Sequence, residues 1–366
     1  MQEVSSLYIH FPYCRHLCNY CDFYKHKLKD KNDIEKYEKY LDSQYNENLN
    51  FLKTQEYTLS PLETIYIGGG TPSLWGTSGS LFLKRLDIIS GAEFTLEIDP
   101  GTWTVDEFEN WVEVGVNRVS VGIQSFDKKF LSIMDREHTM PEAIELLNFL
   151  KDRNVNFSVD LMLGLPDSKV LNRDVLNEIV ELIKYDPSHF SVYILKTRSN
   201  YPHNDKLPDE DYISDEYLEV CNFLDANGYY QYEVSNFAKV GFESKHNKKY
   251  WNYEPVAALG ANATGLLTGN NWSVRYQWKP SGEGCTSEKL EGTSLKIEQI
   301  YMMLRVKNGL KDSYFTGDNL VKFQALKKTW CDRGYIKSQS NGIWLSAQGY
   351  LVVDSLMDDM FKDLSI

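Results

Sequence analysis

The sequence predicts an α/β fold with six β-strands, and two observations support this prediction. Apolar runs of strand length alternate with segments of helical periodicity from residue 7 to residue 195, which is the pattern of a parallel sheet with crossover helices. The chain has 366 residues and so exceeds the size of a single core, about 250 to 300 residues. Six strand–helix units favour an open barrel of the (β/α)6 kind, and a doubly wound sheet fits the same pattern.

The elements of this barrel follow one another along the chain. Short apolar runs predict strands at 7–11, 64–67, 93–98, 117–123, 155–162 and 189–195. Apolar residues at helical spacing predict helices at 34–52, 105–114, 140–152 and 172–184. We therefore expect the first domain to span residues 1–200.

The remaining third of the chain predicts a connecting segment and a second domain. A polar loop at 198–211 precedes a helix at 212–226, and a polar stretch at 281–292 indicates a second linker. Helices at 295–304 and 319–331, a hairpin around 340–342 and a final helix from 345 follow. We expect a connecting segment at 201–290 and a winged-helix-like α+β domain at 291–366.

Composition excludes several classes of protein. The formal net charge of −13 argues against general nucleic-acid binding, which depends on basic surfaces. No apolar run reaches the roughly 18 residues that an integral membrane segment needs, and the first residues lack the pattern of a signal peptide. Six cysteines are too few for a disulfide scaffold. We expect a cytoplasmic protein.

Three of these cysteines, Cys14, Cys18 and Cys21, lie within eight residues, on a loop that Pro12 begins after the first strand. Thiolates this close favour a metal. Structural zinc takes four ligands, so three thiolates fit best a 4Fe-4S cluster with one iron left open. The alternatives are ordinary reduced thiols or a zinc knuckle completed by a histidine, for which the candidates are His10, His16 and His26.

Polar and glycine residues follow the other strands. Three glycines, at 68–70, come directly after the second strand, where they allow the backbone to approach a ligand closely. Glu97, Gln124 and Asp160 each lie at the end of an apolar run. Barrel enzymes carry their chemistry at the carboxyl ends of the strands, so we expect these side chains to share one site with the cysteines. Taken singly, each is more simply a strand-end residue or a helix cap.

The cysteine spacing CxxxCxxC, followed by Asp22-Phe23-Tyr24 and placed after the first strand, resembles the radical S-adenosylmethionine (SAM) superfamily. The resemblance implies a 4Fe-4S cluster held by the three cysteines, with SAM bound to the open iron. It also favours the partial (β/α)6 barrel over a doubly wound sheet. In such proteins the cofactor carries the difficult chemistry and the protein positions it.

Segments 8–12, 68–73, 115–126 and 160–166 together look like the coproporphyrinogen dehydrogenase branch of that superfamily, and this resemblance covers nearly the whole chain. It implies SAM contacts that we carry over residue by residue. The SAM-binding residues implied in this way are Tyr8, Tyr20, Gly69, Gly70, Thr71, Glu97, Gln124, Arg136 and Asp160.

Within the branch, three features resemble its heme chaperones rather than its dehydrogenases. Asp22-Phe23 stands where the dehydrogenases have a further cysteine, only seven residues precede Tyr8, and segment 245–251 matches the HNxxYW motif of the chaperones. The motif makes His246 a candidate ligand to heme iron, with aromatic neighbours for flat apolar contact. The alternative is a histidine that begins a turn beside a packed Tyr-Trp pair.

The resemblance therefore implies a heme chaperone that binds a 4Fe-4S cluster, SAM and heme and transfers heme to an acceptor protein, with an electron donor as a further partner. An oxygen-independent coproporphyrinogen III dehydrogenase and a heme-remodelling radical SAM enzyme are the alternatives. Two segments depart from the family pattern. Lys196-Thr197-Arg198 replaces a usual glutamate, and segment 260–265 has Asn262 and Thr264 but lacks a usual histidine.

Overall fold

A computed structural model describes residues 1–280, 284–307, 309–339 and 341–364. The strands are β1 (Gln2–Phe11), β2 (Tyr13–Cys14), β3 (His26–Lys27), β4 (Tyr57–Gly69), β5 (Ile88–Ile98), β6 (Arg118–Gln124), β7 (Asn156–Leu163), β8 (His189–Ile194), β9 (Tyr230–Gln231), β10 (Asn236–Ala238), β11 (Ala257–Leu259), β12 (Thr264–Thr268), β13 (Trp272–Trp278), β14 (Cys285–Glu291), β15 (Leu310–Lys311), β16 (Ile336–Gln339) and β17 (Gly342–Leu345). The helices are α1 (Lys31–Thr54), α2 (Gly76–Leu83), α3 (Val105–Glu113), α4 (Lys128–Ile133), α5 (Met140–Asp152), α6 (Val175–Ile183), α7 (Glu210–Ala226), α8 (Lys245–Trp251), α9 (Gly292–Leu304), α10 (Gly317–Asp332), α11 (Ala347–Leu351) and α12 (Val353–Asp363).

The six predicted strands form the centre of one open, mixed sheet. Its order is β11-β1-β4-β5-β6-β7-β8-β10-β9, and the six central strands are all parallel. Consecutive strands of the chain are neighbours in the sheet, as the alternating pattern predicts for a (β/α)6 barrel. The predicted α/β fold class is confirmed, and all six carboxyl ends lie on the same side.

Local sequence signals explain where the barrel helices begin. Thr139 and Glu142 form a capping box at the start of α5, which matches the predicted bounds. Asp174 accepts a hydrogen bond from the backbone N–H of Asn177 and so starts α6 three residues later than predicted. Buried aliphatic and aromatic side chains from every barrel strand and from its helices form one continuous core.

The region between the barrel and the last domain contains strands that sequence periodicity did not predict. Strand β11 adds to the barrel sheet parallel to β1, and β10 and β9 add antiparallel at the opposite edge. Strands β12, β13 and β14 form a separate antiparallel sheet. The predicted linker at 281–292 is therefore wrong where the structure describes it, because residues 285–291 form β14 and Gly292 begins α9; residues 281–283 lie outside the described residues. The division at residues 200 and 290 stays a prediction.

The last part of the chain has the predicted order of helix, helix, hairpin and helix. Helices α9 and α10 precede the β16–β17 hairpin, and β15 adds to it as a third strand. Ser340, inside the predicted turn, lies outside the described residues. These elements enclose a second apolar cluster, which includes Phe323, Trp330 and Met360, and give the winged-helix-like α+β domain of the prediction. No helix of the described chain has the length and apolar character needed to cross a membrane.

Candidate cluster and cofactor site

A cavity of about 580 Å³ lies at the carboxyl ends of the barrel strands, where the strand-end residues were expected to meet. It contains the three cysteines and almost all of the residues that the resemblance assigned to SAM. The predicted residues that line it are Cys14, Cys18, Cys21, Tyr20, Gly69, Gly70, Thr71, Glu97, Gln124, Arg136 and Asp160. Tyr8 is the exception and is described below. The structure therefore brings together residues from six separate segments of the chain.

The cysteine loop is held against the barrel rim by backbone hydrogen bonds. Strand β2 pairs with β3. The N–H of His26 in β3 donates to the carbonyl of Pro12 at 2.6 Å, and the N–H of Leu28, just after β3, donates to the carbonyl of Cys14 at 2.8 Å. From the other side, the N–H of Thr71 donates to the carbonyl of Tyr13 at 2.8 Å. The loop therefore has fixed contacts on both sides of its first cysteine.

The glycine segment permits this close approach. A Cβ atom on Gly70 would lie 2.5 Å from the carbonyl oxygen of Tyr13, a distance that no side chain tolerates. Gly69 has φ +117°, and a Cβ there would meet the His10 ring at 2.6 Å. Gly70 therefore allows the cysteine loop to pack against β4, and Gly69 allows β4 to pack against the His10 side chain of β1.

Glu97 projects from the end of β5 into the cavity beside the glycines. Its carboxylate accepts a hydrogen bond from the Tyr66 hydroxyl at 2.8 Å and one from the N–H of Gly69 at 3.1 Å. Burial, and to a smaller extent the charge of Asp160, raises the pKa of Glu97 from 4.5 to about 8. At neutral pH the group is therefore largely protonated and can donate a hydrogen bond as well as accept one.

Arg136 connects the cavity wall to the cysteine loop. Its guanidinium donates to Asp99 at 2.7 Å and to the carbonyl of Gly122 at 2.8 Å, and it lies 3.9 Å from the Cys18 sulfur. Its Nε atom is buried without a partner in the described part of the chain. Arg136 thus places a buried positive charge, with one unpaired donor, beside a cysteine.

Asp160 and Gln124 complete the far wall of the cavity. The Ser120 hydroxyl donates one hydrogen bond to the Asp160 carboxylate, whose two oxygens lie 3.0 and 3.1 Å from it, and burial raises the pKa of Asp160. Gln124 has φ +64° at an irregularity in the pairing of β6 with β7. The turn of the backbone there ends the strand and leaves the residue on the cavity wall.

The three thiols suit a group that supplies positive charge. Burial raises the pKa of the Cys14 thiol to about 12, so without a metal it stays neutral. Within the described ranges no three His, Cys, Asp or Glu side chains are grouped closely enough to bind a single metal ion. A 4Fe-4S cluster is larger and spreads its thiolate ligands over different irons. Three separated thiols that face one cavity therefore fit such a cluster.

A second cavity, of about 410 Å³, adjoins the first and contains Tyr8 and His246. Asp22, Phe23 and Tyr66 line both cavities. Tyr8 lines this second cavity, and its hydroxyl is hydrogen-bonded to His10 Nδ1 at 3.0 Å, so its contact with SAM stays a prediction. Asn262 and Thr264, from the segment that departs from the family pattern, also line this cavity.

His246 is buried, with 1% of its surface exposed, and its ring packs between two tyrosines at the inner wall of the second cavity. Its Nδ1 atom is hydrogen-bonded to the Thr64 hydroxyl at 2.9 Å, while Nε2 has no partner among the described residues. Burial lowers the pKa of His246 to about 3. The ring is therefore neutral, and in the tautomer whose Nδ1–H donates to the Thr64 hydroxyl the Nε2 lone pair is free, as a metal ligand requires.

Several site residues were missed by sequence reasoning. Asp99 pairs with Arg136, and strand alternation would have placed it on the same face as Glu97. Tyr66 lines both cavities, and the same alternation would have placed it on the face of Gly68. Glu93 accepts hydrogen bonds from the N–H groups of Lys245 and His246, both at 2.9 Å. No local sequence pattern connects residues so far apart.

Comparison with known proteins agrees with this geometry. The model of the Radical SAM superfamily matches residues 8–182. The chain is 36% identical over 277 residues to the heme chaperone HemW of Buchnera aphidicola from Schizaphis graminum, covering 74% of this chain and 72% of the relative. It is 30% identical to HemW of Bacillus subtilis over 398 residues, covering 99% of this chain and 100% of the relative.

The overall fold also matches a solved structure. The coproporphyrinogen III oxidase HemN of Escherichia coli, a radical SAM enzyme, aligns with a TM-score of 0.78 and 18% identity over 100% of this chain and 91% of that one. At that identity the match shows the fold alone. Together with the identity to the HemW proteins along the chain, these findings establish that the chain belongs to the HemW family of the radical SAM superfamily.

Proposed function

We propose that this protein is a heme chaperone that binds a 4Fe-4S cluster and SAM in the first cavity and heme in the second, and that it transfers heme to an acceptor protein. The observation that carries the proposal is the unused, buried Nε2 atom of His246 in a cavity that shares a wall with the cysteine cavity. The names of the HemW relatives agree with it. We place this activity in the cytoplasm, where thiols stay reduced.

In the first cavity, Cys14, Cys18 and Cys21 would hold the cluster, which would supply an open iron for SAM. Arg136 offsets the negative charge of the thiolates and fixes Cys18. Glu97, largely protonated at neutral pH, and Asp160 offer hydrogen-bonding groups to the rest of the cofactor.

In the second cavity, His246 Nε2 would bind the heme iron. The Thr64 hydroxyl, bound to Nδ1, fixes the orientation of the imidazole. Tyr8, Tyr66 and Tyr250 also line this cavity and supply flat apolar surface for a planar macrocycle.

The test is an anaerobic heme titration of the reconstituted protein, followed by the Soret band. We expect saturable binding in the wild type, loss of binding or a spectral shift in His246→Ala, and no change in His203→Ala, whose side chain lies outside both cavities. Absence of saturable binding in the wild type would contradict the proposal. Anaerobic conversion of coproporphyrinogen to protoporphyrinogen would instead favour the dehydrogenase.

A further inference from the structure

The carboxyl end of β6 turns sharply at Gln124. The N–H of Ser125 donates to the carbonyl of Ile123 at 2.8 Å, and Gln124, between them, has φ +64°. A hydrogen bond that closes over one residue of positive φ forms a γ-turn of the rare, strained kind. This backbone conformation is unfavourable for any residue with a side chain, and it persists only where the surrounding structure fixes it. We therefore asked which groups hold this turn.

A buried carboxylate of α6 binds the chain directly after the turn. Glu178 Oε2 accepts a hydrogen bond from the Ser125 hydroxyl at 2.7 Å and one from the N–H of Phe126 at 2.5 Å. Both side chains are shielded from solvent, since Glu178 is 5% exposed and Ser125 is fully buried. Glu178 thus fixes the two residues that follow Gln124.

Glu178 is in turn held by Arg173, which precedes α6. The Nε atom of Arg173 donates to Glu178 Oε1 at 2.7 Å, and its Nη1 atom donates to the carbonyl of Met162, in β7, at 2.7 Å. A second buried carboxylate, Glu216, lies 3.7 Å from Arg173 and accepts from the N–H of Gly164 at 2.8 Å. The ion pair of Arg173 and Glu178 therefore ties the carboxyl end of β6 to that of β7.

The two strand ends that this ion pair joins both belong to the first cavity. Gln124 and Met162 line that cavity, whereas Arg173 and Glu178 lie outside it. Burial of an ion pair is costly, and such pairs are weak evidence for stability alone. A strained residue in a cavity wall, held by buried groups outside the cavity, indicates that the aim of its side chain matters for a ligand.

We propose that Arg173 and Glu178 are positioning residues for SAM, because they hold the strained turn so that the Gln124 side chain faces the cofactor. The inference rests on the proposed function, since it assumes that SAM binds in the first cavity. A purely structural ion pair would affect the stability of the barrel as a whole. A positioning pair affects SAM affinity, and it does so through Gln124.

The experiment measures the SAM affinity of the full-length reconstituted protein by anaerobic equilibrium dialysis. The variants are Glu178→Gln, Gln124→Ala and the double variant that combines them. The matched control is Glu181→Gln, on the same helix, where the carboxylate is exposed and pairs with Lys184. Iron content and heme affinity are measured for every variant, because a general loss of structure would lower both.

We expect Glu178→Gln to bind SAM about tenfold more weakly than wild type, with the iron content and heme affinity of the wild type. Gln124→Ala should lose at least as much affinity for SAM. The double variant should be no weaker than Gln124→Ala, since Glu178 acts only through that side chain. The control should stay within about threefold of wild type.

A gentler variant covers the case in which Glu178→Gln does not fold. Ser125→Ala removes only the hydroxyl that donates to Glu178 and keeps the ion pair, and its effect on SAM affinity should likewise vanish when Gln124→Ala is present. Losses that add in the double variants would overturn the proposal, and so would a wild-type SAM affinity in a folded Glu178→Gln or in Ser125→Ala. A wild-type protein that takes up the cluster but does not bind SAM would refute the proposed function together with this inference.

Discussion

Glu93 connects the barrel to the helix that carries His246, and its substitution tests whether that connection positions the histidine. The buried carboxylate accepts hydrogen bonds from the N–H groups of Lys245 and His246 at 2.9 Å, and the Ser244 hydroxyl lies 3.4 Å away. In Glu93→Gln one carboxylate oxygen is replaced by an NH2 group, which cannot accept a hydrogen bond, so one of the two backbone N–H groups loses its acceptor. The change keeps the size of the side chain and removes its charge.

The expected cost follows from these contacts. A hydrogen bond to a charged group contributes about 1.5 to 3 kcal/mol, and an unpaired buried N–H costs about 1 to 3 kcal/mol. The lost negative charge at the start of α8 costs up to about 1 kcal/mol more. Since these contributions overlap, we expect local opening of α8 to become easier by about 3 kcal/mol, which is about a 100-fold loss of protection.

Native-state hydrogen exchange measures this effect without assuming that the whole chain unfolds in one step. We expect the amides of Lys245 and His246 to exchange about 100-fold faster in Glu93→Gln, and the heme affinity to fall with them. The control Glu3→Gln changes an exposed glutamate of β1. Protection within about threefold of wild type would refute the reasoning, because the carboxylate would then not hold the helix.

Three further predictions concern the first cavity. In Gly70→Ala the new methyl group would meet the Tyr13 carbonyl at 2.5 Å, so we expect about 1 to 3 kcal/mol of destabilisation and loss of bound iron. The comparison variant Gly91→Ala is strained by its φ of +80° but meets no atom within 4 Å and lies away from the cysteine loop, so it should keep its iron when both variants are assayed for iron and sulfide. Between pH 4.5 and about 8, Glu97 is protonated in the folded state but ionised in the unfolded state. The free energy of unfolding should therefore fall by about 1.4 kcal/mol per pH unit as the pH rises through this range. Thermal unfolding of the cluster-free protein should show that Glu97→Gln removes this slope, and equal slopes in the two proteins would contradict the shifted pKa. Each single cysteine substitution should abolish the brown colour of the reconstituted protein, while Cys331→Ala should retain it; the three substitutions are Cys14→Ala, Cys18→Ala and Cys21→Ala.

The sequence predicted the barrel and the first cavity because their signals are local. Apolar runs mark the strands, and the polar residues that end them face one edge, as Glu97 and Asp160 do. No local sequence signal shows which of the two cavities a residue lines. Tyr8 and Cys14 are six residues apart, yet the first lines the second cavity and the other lines the first.

Sequence periodicity missed the antiparallel sheet of β12, β13 and β14 for a different reason. Strand β14, Cys285–Glu291, is largely exposed on both faces, so it lacks the apolar alternation by which strands are recognised. Its conformation depends on pairing with β13, which tertiary structure alone provides. The link between Glu93 and His246 likewise arises only from the fold.

The pairing of β11 with β1 has a consequence for how the protein is made. Leu7 pairs with Ala257, so the strand that leads into the cysteine loop gains its outer neighbour only when two thirds of the chain has been synthesised. Until then β1 is an unpaired edge, and such edges invite association with other chains. A ribosome-bound chain that ends before β11 therefore carries its cysteine loop on a sheet whose β1 edge is still open.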